Sequence, residues 1–535
     1  MRVKFLVSTA LCAALLAGYQ NGGGSYSGQS AGYVTEETVA DVSDADLAAM
    51  TPEQREQYKT NTISPVHRVA EAPVSTFAVD VDTAAYSNVR RFLTQGQTPP
   101  KDAVRTEELV NYFRYDYPLP RNPAEPFSVT TDVAQTPWNP ATRLLRVGLR
   151  GYDLSYRQRP AANLVFLVDV SGSMDAPDKL PLVKSALAMA ADQMGSRDCV
   201  SIVVYAGAAG IVLDAADSPG EVKAALDSLG AGGSTAGGEG IELAYATARA
   251  HKREGGINRV ILATDGDFNV GITNPKQLEE LIERNRDDGI TLTTLGFGTG
   301  NLNDAMMESI ADKGNGNYAY IDSASEARKV LDEELSSTLF TIAKDVKVQV
   351  EFNPALVSEY RLIGYENRAL REEDFANDQV DAGDIGAGHQ VTAIYEIVPA
   401  GSKGWLAPRR YDAGQPQPEA PRVRSGGEFA FVKLRYKLPG GETSRLIERP
   451  VMAASLAGAP YPSGDLAFAV AVAGFAQKLR GDPMLGTWSY ADIRNLAGTQ
   501  WGFSQQSYWR QEFLQLVDLA ASESRSAHPA MERVE

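Results

Sequence analysis

The sequence predicts an α/β protein: a doubly wound, mostly parallel sheet, inserted in or flanked by a β-sandwich, with a helical segment at the C-terminal end. Three observations predict it. Leu164–Val168 and Val260–Ala263 are continuous apolar runs, the pattern of strands covered on both faces. Between about residues 160 and 337, strand-like and helix-like stretches alternate, which calls for parallel strands joined by right-handed crossovers. On either side of that region, apolar and polar residues alternate singly, as in half-buried antiparallel strands. They do so at Pro126–Thr131 and Leu144–Leu149 before it, and at Asp345–Phe352, Gln390–Val398 and Glu428–Leu438 after it.

The N-terminus has basic residues, Arg2 and Lys4, ahead of an apolar stretch with small residues behind it, and residues 1–19 read as a secretory signal. It is too short to span a bilayer, and no other stretch is long and apolar enough to do so. Leu16-Ala17-Gly18 is the lead-in of a bacterial lipoprotein box, in which a lipidated Cys follows; here Tyr19 follows and has no thiol to acylate. The expected location is therefore the periplasm or cell envelope, with a membrane tether only in relatives that carry Cys at the position of Tyr19. Cys12 lies inside the signal, so Cys199 is the single cysteine of the mature chain and reads as a small apolar filler of a buried strand. Residues 20–72 are rich in Gly, Ser and acidic residues and read as a flexible linker.

Order is expected from about residue 73. Thr76–Val81 reads as a strand and Thr83–Leu93 as a helix, with Asp82 or Thr83 as N-cap. The Asp80 and Asp82 pair resembles the nucleophile loop of one hydrolase superfamily, but Ala84 stands where that loop needs a hydroxyl or valine, and capping explains the pair better. A short helix within RTEELVNYF and a dense aromatic group (Tyr112, Phe113, Tyr115, Tyr117) follow, the latter expected in a core. Residues 73–158 thus form a region of helices and strands. Two strands make a poor sheet alone, so those before residue 158 and those after 340 are expected to share one sandwich.

The central region, 159–337, carries the candidate site. The run Leu164–Val168 ends at Asp169, and Ser171 and Ser173 follow at alternate positions around Gly172. A strand that stops in a polar loop before a helix puts those side chains at the carboxyl edge of the sheet, where open α/β sheets bind ligands. Two later loops offer further oxygens: Thr235 in GGSTAGG and Asp265 in VILATDGD. One carboxylate and two hydroxyls, joined by a third hydroxyl and a second carboxylate, suit a hard cation such as magnesium, manganese or calcium rather than zinc or copper. Asp267 and Asn269 could orient waters around it. Gly210–Asp214 should form a hairpin with the strand before it. The glycines at 232–240 and in GFGTG, 296–300, shape loops and do not match a phosphate-binding signature.

The pattern Asp169-x-Ser171-x-Ser173, then Thr235, then Asp265 resembles the metal-ion-dependent adhesion site (MIDAS) of the von Willebrand factor A (VWA) domain. The stretches VSTFAVDVDTAAYSNVRRFL and RTEELVNYFRYDYP resemble the N-terminal region of a family of bacterial envelope VWA proteins, some of them lipoproteins, and the chain from about 340 to 525 resembles their uncharacterised C-terminal domain. The resemblance implies that the hydroxyls of Ser171, Ser173 and Thr235 touch the metal, that Asp169 and Asp265 act largely through water, and that a partner's Asp or Glu side chain completes the coordination. It implies a binding module and no known reaction.

Residues 338–460 then read as the rest of the sandwich, 461–522 as helices and 523–535 as a disordered tail, with surface loops at 381–388 and 414–421. Trp509, Phe513, Leu516, Val517 and Ala520 recur at helical spacing, with Tyr508 beside them, and core packing is expected for these aromatics. A formal net charge of −17 argues against nucleic acid as the partner. His67, His251, His389 and His528 lie far in sequence from the site loops, which weighs against the first alternative, a magnesium-dependent phosphoryl hydrolase. The second alternative is a structural scaffold with no functional metal.

Overall fold

The computed structural model describes residues 3–5, 40–42, 56–79, 82–121, 125–154, 159–233, 237–266, 275–334, 337, 339–407, 409, 427–441, 443–498 and 507–527. Most of the leader, Tyr19 included, lies outside these; Val3–Phe5 pairs antiparallel with Ala40–Val42.

The central sheet has six strands. In spatial order they are Tyr318–Ile321, Thr291–Phe297, Ile257–Thr264, Ala162–Asp169, Cys199–Tyr205 and Ala209–Ala216. All neighbours are parallel except the last pair, the hairpin expected from Gly210–Asp214. Ala162–Asp169 is buried along its whole length, which is why its apolar run has no polar alternation. The helices Leu180–Asp192, Gly237–Ala250, Pro275–Asp287 and Asp304–Lys313 link the strands. Their apolar residues fill cores against the sheet: Val183 and Leu187 with Phe166 and Val168, and Ile241 and Tyr245 with Val165 and Leu167.

The α/β domain is inserted in a β-sandwich. The hairpin Phe127–Gln135 and Arg143–Gly151 precedes it in the chain, yet Arg143–Gly151 pairs with Gln390–Pro399, which follows it. That sheet is completed by Val357–Ile363 and His67–Arg68. The second sheet orders Ala369–Leu370, Val74–Ala78, Thr341–Phe352, Glu428–Lys437 and Ser444–Met452. Aromatic rings close the two sheets face to face: Phe352 stacks on Tyr360 at 4.5 Å, Phe127 meets Tyr436 at 5.4 Å, and the Tyr395 hydroxyl reaches Ser75 Oγ at 3.0 Å.

The helices Gly464–Arg480, Tyr490–Ala497 and Ser507–Ala527 pack on Ala84–Thr94 and Thr106–Asn111 in a separate core. Phe113 is edge-on to both Phe468 and Phe513, at 4.9 and 5.8 Å, and the aromatic group at 112–117 is buried there. Gly474 is required on the first of these helices, because a Cβ would sit 2.1 Å from the Trp488 ring.

Five expectations need correction. Residues 56–72, assigned to the flexible linker, are packed: Glu56 is buried against Arg91, and Gln57 forms a backbone bridge with Asn303. Of the two candidate N-caps, Thr83 takes the position without a side-chain hydrogen bond, and Asp82 serves other segments instead. Its Oδ1 accepts from the backbone N–H of Tyr318 and its Oδ2 from Arg368, while Glu108 Oε2 accepts the N–H of Ala85 in the first turn. Residues 381–388 are not wholly a surface loop, since Ile385–Gly386 pairs with Thr341–Ala343 and is buried. The last helix runs into the expected tail, to Ala527. Tyr508, expected in the core with Trp509 and Phe513, is exposed near the start of that helix. Asp80, Gly414–Pro421 and His528 fall outside the described residues.

Candidate metal site

Parallel register places the two carboxylates together. Val168 pairs with Ala263, so the strands Ala162–Asp169 and Ile257–Thr264 end side by side, with Asp169 closing one and Asp265 just beyond the other. Both are fully buried. Asp169 is held by neutral donors. Its Oδ1 accepts the backbone N–H of Ser171 at 2.9 Å and its Oδ2 the hydroxyl of Thr264 at 3.2 Å, with the Tyr205 hydroxyl beside both. Ser171 Oγ lies 3.0 Å from Ser173 Oγ; Ser171 is buried and Ser173 exposed, so the hydroxyls lead from the sheet edge to solvent. Ser173 and Asn301 lie close enough to Asp265 to favour its charged form.

The structure thus gathers Asp169, Ser171, Ser173 and Asp265. Thr235, Asp267 and Asn269 lie outside the described residues. The loop that carries Thr235 does reach the site: Gly233 O accepts from Gly172 N at 3.1 Å, and Gly232 N donates to Val170 O at 2.8 Å. Gly266, at φ +94°, makes the turn after Asp265, where a Cβ would come 2.5 Å from Asn303 N.

The two carboxylates differ in electrostatics. Burial pushes Asp169 above the ordinary aspartate range, and the charge of Asp265 adds to the effect, against the hydrogen bonds from Ser171. Burial also raises Asp265, but the Lys179 ammonium, 2.8 Å from its Oδ2, outweighs that and brings it below the ordinary value. Lys179, Asn301, Thr264 and Tyr205 are the site residues that sequence reasoning missed. Only Thr264 carried a signal, as the last residue of the strand before Asp265.

The donor set fits a hard divalent cation. Every candidate atom is an oxygen, two are ionisable, and Asp169 has no ion pair among the described residues. The ammonium at Asp265 stands where positive charge is wanted. Among the described residues no group of three or more His, Cys, Asp or Glu side chains is placed to hold a metal.

Family comparisons agree with this architecture. A von Willebrand factor model matches residues 52–146, a von Willebrand factor type A domain model 163–334, and a model described as "Uncharacterized protein YfbK, C-terminal" 337–522. A curated protein of Escherichia coli (strain K12), "Uncharacterized protein YfbK", is 46% identical over 472 residues, 87% of this chain and 81% of that protein. The chain belongs to the YfbK family. The N-terminal region of this YfbK-family chain, its VWA domain and its C-terminal domain follow one another without a long gap. Among solved structures it is similar to a von Willebrand factor type A protein from Catenulispora acidiphila, at 19% identity and TM-score 0.39, covering 69% of this chain and 86% of that one. It is also similar to proximal thread matrix protein 1 from the mussel byssus with a zinc-occupied MIDAS motif, at 25% identity and TM-score 0.28, covering 35% of this chain and 46% of that one.

Proposed function

We propose that this protein is a metal-ion-dependent protein-binding module of the bacterial cell envelope, and not an enzyme. Asp169, Ser171, Ser173, Thr235 and Asp265 would hold a divalent cation, magnesium with manganese or calcium as substitutes. When bound, the cation would supply an electrophilic position for an outside carboxylate oxygen, an Asp or Glu side chain of a protein partner. The observation that carries this reading is the path of oxygens from buried Asp169 through Ser171 to exposed Ser173, at the carboxyl edge of a parallel sheet.

Two features favour binding over catalysis. The described histidines are engaged elsewhere: His251 pairs with Asp214 at 2.7 Å, His67 stacks on Tyr360, and His389 lies near Glu334. No candidate general base other than the two aspartates faces the site among the described residues. The basic and apolar leader supports export, and no described helix is long and apolar enough to cross a membrane. The absence of a thiol at Tyr19 favours a form without the lipid anchor at that position.

The test is a pull-down from envelope extract with and without magnesium, with Asp169→Ala as control. Magnesium-dependent partners lost in the variant support the proposal. The same partners captured by both proteins would leave a scaffold, and a magnesium-dependent phosphatase rate lost in the variant would make the protein an enzyme.

A further inference from the structure

We propose that Lys179 is a built-in competitor for the cation, an ammonium that holds Asp265 in the metal-free protein and sets how tightly a divalent ion can bind. The inference rests on the metal-binding reading above and adds the element that regulates it.

Lys179 is placed by more than its ion pair. It is the residue just before the helix Leu180–Asp192, and its side chain is only 10% exposed. Its Nζ donates to Asp265 Oδ2 at 2.8 Å and to Asn301 Oδ1 at 3.3 Å. Its aliphatic stem crosses Gly298, where a Cβ would come within 2.4–2.9 Å of Cγ, Cε and Cδ. Gly298 has φ +71°, so the same glycine that makes the turn also opens the groove for the stem.

The loop that forms this groove is fixed from three sides. The Tyr320 hydroxyl donates to Gly298 O at 2.7 Å, Gly300 N donates to Glu56 Oε1 at 3.1 Å, and Gln57 N donates to Leu302 O at 2.9 Å. A lysine on an exposed helix start would lose side-chain entropy on pairing. Here the groove holds the stem in advance, so the ammonium competes for Asp265 at low cost.

A divalent cation that draws on Asp265 must displace this ammonium or bind beside it. Displacement costs the ion pair, and coexistence brings like charges together in a buried place. Either way the lysine weakens metal uptake. With the lysine retained, the two aspartates, one divalent ion and one ammonium carry a formal charge of plus one. A single incoming carboxylate neutralises it, so the lysine that opposes the metal alone would favour the metal together with an acidic partner.

The experiment is calorimetric titration of magnesium, and separately manganese, into the full chain as wild type, Lys179→Met and Lys179→Arg. Lys179→Met is expected to tighten binding on the order of tenfold, while Lys179→Arg, which keeps the charge, stays near wild type. In metal-free buffer Lys179→Met melts below wild type, because Asp265 is left buried without its cation, and saturating magnesium closes that gap. A purely structural lysine would lower the melting temperature and leave affinity unchanged or weaker, which overturns the inference while the metal reading stands. No uptake by either protein overturns both; uptake by Lys179→Met alone supports both. If Lys179→Met does not fold, Asn301→Ala takes its place, removing one of the two acceptors of the ammonium. A smaller tightening supports the proposal, and unchanged or weaker binding overturns it.

Discussion

The rim of the VWA sheet and the seam where the N-terminal helices meet that domain both bury carboxylates, and they treat them in opposite ways. At the seam each acid is matched with a guanidinium. Arg90 reaches Asp322 at 2.5 Å, Glu326 at 2.7 Å and Glu512 at 3.2 Å, so one side chain joins the first helix, the end of the VWA domain and the last helix of the chain. Arg105, 1% exposed, pairs with Glu108 and with Asp304 at 2.5 Å. At the rim, Asp169 has only neutral donors, and Asp265 is paired with a lysine, a point charge and not a two-pronged fork. Closed guanidinium networks spend their charge on holding domains in place. A carboxylate left without a cation in a buried loop retains the capacity to take one.

The largest effect that tests this contrast is expected at the seam. Arg105→Met should destabilise the protein by about 3–5 kcal/mol, because Glu108 and Asp304 would stay buried without their partner. Urea unfolding at neutral pH measures it. A loss below about 1 kcal/mol would mean that the seam is as loosely committed as the rim, and the contrast would fail.

A second seam group responds to pH. His389 lies between Glu334, at the end of the VWA domain, and the sandwich strand Gln390–Pro399. Burial, with repulsion from Arg114 and Lys329 and only partial relief from Glu334, lowers its pKa to about 4. The unfolded chain takes up the proton near the ordinary histidine value, so this group's stabilising contribution is present above that value and is lost as pH falls toward 4. The expected loss is about 2 kcal/mol between pH 7 and 4.5. Other carboxylates titrate in the same range, so the measurement is the difference between wild type and His389→Gln, whose acid slope should be shallower. Parallel slopes would place the histidine in water.

The contrast also explains what was legible in the sequence. Strand ends and the Asp169-x-Ser171-x-Ser173 spacing are local, and neighbouring parallel strands bring Asp265 alongside with no further information. Lys179 and Asn301 were invisible because the loop 298–303 folds back over the start of a helix more than a hundred positions earlier. Asp82 was misread for the same reason: local capping rules describe it well, but its acceptors serve Tyr318 and Arg368, reached only through the tertiary fold. Two sandwich strands also gave no signal. Val357–Ile363 carries Glu359 and Arg361 on the face opposite Tyr360, buried beneath other segments with Arg361 bound to Glu396 and Asp482, so charge interrupts its apolar pattern. Ser444–Met452 is a terminal strand and contains Pro450, which a central strand would not tolerate.

The smallest expected change is the one that separates rim from seam most sharply. In Asp169→Asn the amide oxygen can still accept the Ser171 N–H, and the Thr264 hydroxyl can turn to accept from the amide nitrogen. The geometry survives and the buried charge goes. Because the folded-state pKa of Asp169 is raised, its stabilising contribution is full below the unfolded value and is lost as pH rises through the folded one. At neutral pH the ionised group is therefore a net cost, and the asparagine variant should equal or exceed wild type in metal-free buffer, by less than about 1 kcal/mol. Magnesium should reverse the order. At ten times its dissociation constant it would stabilise wild type by about 1.4 kcal/mol and leave the variant unmoved. Paired thermal melts in chelator and in magnesium decide the matter. If Asp169→Asn loses several kcal/mol in chelator, as Arg105→Met should, Asp169 is a structural acid like those at the seam, and the rim has no charge in reserve for a cation.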